Sequence, residues 1–92
     1  MLKLQITRQA SDFLYDLDPK QFRQVTRKVL SLMENPEQTD SAALKGYPFK
    51  RVDVGEYRII YRTEADTLKI SLIGKCNDNE IYNMLKNMVN TK

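Results

Sequence analysis

The sequence predicts an α+β fold: four strands and three helices in the order β-α-α-β-β-β-α, with an antiparallel sheet carrying a helical hairpin on one face. Three observations predict it. Apolar and polar residues alternate over residues 2–7 and again in two runs between residues 49 and 73, the mark of half-buried strands, with a run of strand formers between those two. Between these stretches, apolar residues recur at helical spacing on both sides of an Asp18-Pro19 break. Helical spacing returns from residue 81 to about residue 90. A sheet face and a helical hairpin each present one apolar side, and stacking them buries both.

Leu2, Leu4 and Ile6 alternate with Lys3, Gln5 and Thr7, which gives the first strand. Thr7 is placed to cap a helix over roughly 8–16, with Ala10, Phe13, Leu14 and Leu17 as its apolar side. Asp18-Pro19-Lys20-Gln21 starts the next helix: aspartate caps, proline takes the first turn, and Gln21 stands where a capping box has its acceptor. Phe22, Val25, Val29, Leu32 and Met33 form that helix's stripe, and Asn35-Pro36 stops it. Residues 36–47 are polar and loop-like, with Leu44 and Tyr47 as anchors onto the core.

Three strands follow. Phe49 to Val54 sets Val52 and Val54 on one side and Arg51 and Asp53 on the other, and Gly55-Glu56 makes the turn. Tyr57 to Arg62 is rich in strand formers. Leu68, Ile70 and Leu72 alternate with Lys69, Ser71 and Ile73 before Gly74 ends the strand. Asn77 to Glu80 reads as a second capping box, opening a short helix with Ile81, Leu85, Met88 and Val89 as its apolar side. With the helices on the valine side, Arg51 and Asp53 are expected on a free face.

The 92 residues suit one domain, 1–92, with no linker or internal repeat. No run approaches the ~20 apolar residues that span a bilayer, and Met1-Leu2-Lys3-Leu4 leads into no signal-peptide core, so a soluble cytoplasmic protein is expected. The single cysteine allows no intrachain disulfide. The absence of histidine excludes histidine-activated nucleophiles and a histidine acid–base pair, and leaves Cys76 as the sole Cys or His ligand for zinc. No phosphate-binding glycine motif exists among three glycines. The net charge is +3, and its location says more than its size. Residues 45–62 hold Lys45, Lys50, Arg51, Arg58 and Arg62 against Asp53 and Glu56, while the remainder carries ten charges of each sign. Such a local basic patch points to a phosphate-bearing polyanion, with a solvated strand surface as the plain alternative.

Leu44-Lys45-Gly46, followed by Arg51-Val52-Asp53-Val54-Gly55-Glu56-Tyr57-Arg58-Ile59-Ile60-Tyr61, resembles the RelE/ParE toxin superfamily. Ile73-Gly74-Lys75-Cys76, running on to Ile81-Tyr82, is similar to that family's last strand and C-terminal helix. The resemblance implies a four-stranded antiparallel sheet flanked by helices. It implies the toxin of a type II toxin–antitoxin system, and in the RelE-like branch a ribosome-dependent endoribonuclease. There the sheet face receives messenger RNA, and a ribose 2′-hydroxyl attacks the neighbouring phosphate without metal or cofactor. It implies as partners the ribosome, its messenger RNA and a short acidic antitoxin, partly disordered, that joins the toxin in a hetero-oligomer, with no membrane involved.

The resemblance assigns Arg58 to the phosphate, where a planar guanidinium pairs two oxygens. Arg51 and Lys50 take the basic strand positions, Lys45 and Lys75 flank the RNA path, and Tyr82 stacks on or orients a base. Asp53 stands where some members carry a second cation; it is a general base or a salt-bridge partner of Arg51 or Arg58. Cys76 occupies the position of an expected catalytic arginine. A thiol supplies no fixed charge, and losing such a donor costs ~10²–10³ in rate. Either the chain is attenuated as written, or Lys75 or another cation substitutes. The competing functions are a ParE-like DNA gyrase inhibitor without catalysis and an inactive antitoxin-binding corepressor.

Overall fold

Strand β1 (Lys3–Ile6) runs directly into helix α1 (Arg8–Tyr15), and Thr7 makes the join. Its side-chain oxygen accepts the Ala10 amide at 3.3 Å, capping the helix, and its hydroxyl donates to the Ser71 carbonyl at 2.8 Å. Asp18 caps α2 (Pro19–Glu34) by accepting the Gln21 amide at 2.9 Å, with Pro19 where its missing N–H costs nothing. The Gln21 side chain reaches the sheet instead of closing a capping box: its Oε1 accepts the Tyr57 hydroxyl at 2.8 Å. Asn35 leaves the helical region ahead of Pro36 (φ −148°, ψ 96°) and ends α2 as expected. The computed structural model describes residues 1–76 and 80–90, with the side chains of 80, 81 and 88–90 outside that description.

Strands β2 (Ser41–Ala43), β3 (Lys50–Val54), β4 (Tyr57–Glu64) and β5 (Thr67–Lys75) join β1 in a five-stranded sheet ordered β1-β5-β4-β3-β2. This corrects the expectation of four antiparallel strands twice. β1 lies parallel to β5, from Lys3 beside Thr67 to Ile6 beside Ile70, so the sheet is mixed. The presumed loop contributes β2, antiparallel to β3. Three residues are too few to display a period of two, and alanine is a poor strand former, so the sequence hides this edge.

A bulge in β5 changes which residues face which way. Ile60 pairs with Leu72, and the next residue, Tyr61, pairs with Ile70, so Ser71 is the extra residue. Leu68 and Ile70 face the hairpin, Leu72 faces away, and Ile73 returns to the hairpin core. The unbroken alternation expected through Leu72 fails at this one serine. The bulge's backbone groups stay satisfied where β1 has ended. Thr7 binds the Ser71 carbonyl, and the Gln9 amide pairs with Ile73, donating to its carbonyl at 2.9 Å and accepting its N–H at 3.1 Å.

The larger core lies under the hairpin, where Ala10, Leu14, Val25, Val29 and Leu32 meet Val52, Ile59, Tyr61, Leu68 and Ile73. Helix α3 (Glu80–Asn90) covers part of the other face. There Leu85 packs on Ile60 and Leu72, with Tyr47, Phe49, Tyr82 and Met84 around them. The face expected to be free is therefore half-roofed, and its charged residues lie beside a small apolar patch. The Asn77–Glu80 capping box and the apolar side chains of Ile81, Met88 and Val89 fall outside the described residues. Among the described residues, no helix is long and apolar enough to cross a membrane.

Candidate functional site

Strand register sorts the half-roofed face into rows that cross the sheet. One row sets Asp53 beside Arg58 and Arg58 beside Gly74. The next sets Arg51 beside Ile60 and Ile60 beside Leu72. Gly74, beside Arg58, carries no side chain of its own into this row.

Arg58 is the hub of the first row. Its Nε donates to Asp53 Oδ1 at 2.7 Å and its Nη2 to Oδ2 at 3.2 Å, a two-pronged pairing. Nη1 donates to the Tyr82 hydroxyl, and the guanidinium carbon lies 5.6 Å from the Tyr82 ring centroid. Arg51 approaches the same carboxylate, with its Nη1 3.9 Å from Asp53 Oδ2. The hydrogen bond from Arg58 holds the Asp53 carboxyl below the usual carboxylate range, with smaller help from the Arg58 charge, Cys76 and Arg51. Reciprocally, Asp53 pushes the Arg58 pKa further up, against the opposing effect of burial, so this cation is permanent.

Cys76 closes the site from the end of β5. Its N–H donates to the Glu56 carbonyl at 2.9 Å and its Sγ–H to the Tyr57 carbonyl at 3.1 Å. Burial, then the nearby Asp53 charge, raises the thiol pKa above its ordinary value of 9.0, so the group is neutral at physiological pH. Among the described residues, no three His, Cys, Asp or Glu side chains are placed to hold a metal ion.

The structure thus brings together Arg51, Asp53, Arg58, Cys76 and Tyr82, from β3, β4, the end of β5 and α3. It separates the lysines from them. Lys50 shares the parity of the buried Val52 and Val54, on the hairpin side, and pairs with Glu37 at 2.5 Å. Lys75 pairs in register with Tyr57, whose ring packs in the hairpin core, so alternation turns it from Arg58 as well. Lys45 is exposed in the turn ahead of Gly46. Asp53 acts here as a salt-bridge partner of both arginines.

The sequence reading missed a third row. Gln5 lies beside Lys69 and Lys69 beside Arg62, with Phe49 next in line before the Lys50–Tyr61 pair. Arg58 and Arg62 stand four residues apart on one strand, hence on one face, and that spacing was the available signal.

No family model matches the chain, and no curated protein matches it. Solved structures do. The isolated E. coli RelE toxin superposes with a TM-score of 0.73 at 18% identity, covering 97% of this chain and 99% of that one. The archaeal RelE–RelB complex from Pyrococcus horikoshii gives 0.71 at 23% identity, covering 83% and 96%. A YoeB/ParE toxin from Agrobacterium tumefaciens gives 0.71 at 18% identity, covering 80% and 98%. The chain has the fold of the RelE-like toxins. These likenesses speak to the path of the backbone; what the site does rests on its own residues.

Proposed function

We propose that this chain is the toxin of a type II toxin–antitoxin system, and that its half-roofed sheet face acts on messenger RNA in the ribosome as an endoribonuclease. The observation that carries the reading is the convergence of Arg51, Arg58 and Tyr82 on one point of that face. Cleavage forms a bond from the ribose 2′-oxygen to phosphorus and breaks the bond from phosphorus to the 5′-oxygen. Negative charge gathers on the phosphorane oxygens between these events, and fixed guanidinium donors stabilise it. Arg58 has the geometry for two phosphate oxygens, Arg51 adds a second charge, and the Tyr82 ring offers a base a stacking surface.

In the free protein Asp53 occupies the fork of Arg58 that a phosphate would take. RNA must displace that carboxylate, so Asp53 holds Arg58 in place between substrates. Its lowered pKa makes it a weak proton acceptor, which favours the counter-ion role over the general-base role. Cys76 lends no charge, and Lys75 points by register to the other side. The chain is accordingly attenuated as written, and Cys76→Arg raises cleavage ~10²-fold.

The antitoxin finds its surface on the hairpin side or in place of α3. Leu4, Tyr15 and Leu30 are 44%, 78% and 49% exposed, and they line an apolar groove of about 180 Å³ between β1 and the two helices. Arg23 and Arg27 are exposed on α2 close to Leu30. An acidic amphipathic helix suits both features.

A second reading has its own observation. The neutral thiol and the occupied arginine fork suit a binder without catalysis, such as a ParE-like gyrase inhibitor or an antitoxin-binding corepressor. Purified chain and its Cys76→Arg variant on ribosomes programmed with a defined codon, with mapping of RNA ends, separate the readings. Cleavage by either protein supports the endoribonuclease. No cleavage by both removes it in favour of the binders, which growth arrest with a DNA-damage response then divides from none.

A further inference from the structure

The third row of the half-roofed face is unused by the site around Arg58, and it borders a groove of its own. That groove holds about 480 Å³, within the range of small-molecule pockets, and its walls include Gln5, Phe49, Arg62, Lys69 and Ser71. Three of these form one cross-strand row, amide, ammonium and guanidinium, with Gln5 beside Lys69 and Lys69 beside Arg62; the Phe49 ring, from the residue just before β3, lines the same groove. Neighbouring strands lie ~4.8 Å apart, so the row spans the width of a nucleotide.

Both cations are held by one carboxylate. Glu64 accepts Lys69 Nζ at 2.5 Å and lies 3.5 Å from Arg62 Nη1. Two cations sharing one exposed carboxylate leave a net positive charge in the groove. Exposed ion pairs of this kind are weak and are readily exchanged for a better anion. Arg62 and Arg58 lie on the same face of β4, ~13 Å apart at strand rise.

We infer that this row is a second nucleotide subsite, in which Arg62 and Lys69 bind a phosphate and Phe49 stacks the attached base, with the Gln5 amide facing the base edge. The inference rests on the proposed RNA-directed function, since it supplies a hold on the RNA some nucleotides away from the phosphate at Arg58. Glu64 guards the subsite as Asp53 guards the first: each row pairs its arginine with a carboxylate that an incoming phosphate displaces.

The test needs no ribosome. Isotope-labelled whole chain is titrated with nucleoside 5′-monophosphates and, separately, with inorganic phosphate, and amide shifts are followed by NMR. The expected result is saturable shifts centred on Gln5, Arg62 and Lys69 with the nucleotides. Phe49→Leu keeps the apolar packing but weakens nucleotide binding ~10-fold, because stacking on the ring is lost. Glu64→Gln tightens it about two- to fivefold by freeing the cations. In Arg58→Gln, which removes phosphate binding at the first row, the shifts at Gln5, Arg62 and Lys69 persist. Absence of shifts in this row overturns the inference, as does equal binding of inorganic phosphate with no response to Phe49→Leu. Nucleotide binding here combined with no ribosomal cleavage retains the subsite and removes the endoribonuclease; cleavage without binding does the reverse.

Discussion

The two faces of one sheet differ in what they bury and in how they use charge. Under the helical hairpin, Val25, Leu32, Val52, Ile59, Tyr61 and Leu68 are all fully enclosed, and Lys50, a basic strand residue on that side, is tied to Glu37 at the rim. On the other face a core of Ile60, Leu72 and Leu85 separates two rows of ion pairs. The first face specifies the fold. The second gives up packing to hold arginines in mid-sheet, which is costly for stability alone and useful for binding an anion.

Truncating each core tests this contrast first. Leu32 and Leu85 are both completely buried. Leu32→Ala is expected to cost about 3–5 kcal/mol and to destabilise the whole chain. Leu85→Ala should cost about 2–3 kcal/mol and act locally. Hydrogen exchange then shows α3 opening while β4 and β5 keep their protection; equal loss throughout would mean that the two cores are one cooperative unit.

A smaller effect reports on the electrostatics of the second face. Asp53 raises the Cys76 pKa, so Asp53→Asn should increase the rate of thiol alkylation at pH 7–8. An unchanged rate would separate the two groups. The same variant has a pH signature. The folded-state pKa of Asp53 is lowered from 3.8, so its contribution to stability is present above that value and is lost as pH falls through the folded pKa. The stability gap between the chain and Asp53→Asn should therefore narrow below about pH 3.8.

The smallest effect lies away from both faces. Ala65 turns the β4–β5 hairpin at φ 54°, a conformation that disfavours a Cβ. Ala65→Gly should raise stability by about 0.5–1 kcal/mol in a denaturant titration, and a loss would contradict the strain.

The hairpin face was legible in the sequence because its signals are long: two capped helices with repeating stripes, and valines alternating along β3. The second face was legible only in part. Arg51, Asp53 and Arg58 follow from alternation, but nothing local says that Ser71 bulges, and that bulge puts Leu72 on the face opposite Ile70. The parallel seat of β1 depends on contacts some 64 positions apart in the chain, such as Thr7 to Ser71. Lys50 and Arg51 look alike in composition, and only the pleat separates them.

That last pair supports the most direct test of the account. Arg51→Gln and Lys50→Gln remove the same charge from adjacent residues on opposite faces. Both are made in the chain as written and in the Cys76→Arg background, and cleavage on programmed ribosomes is measured. The account predicts that Arg51→Gln reduces cleavage by about tenfold or more, while Lys50→Gln changes it little. Equal losses, or a larger loss for Lys50→Gln, would contradict the claim that the half-roofed face carries the function.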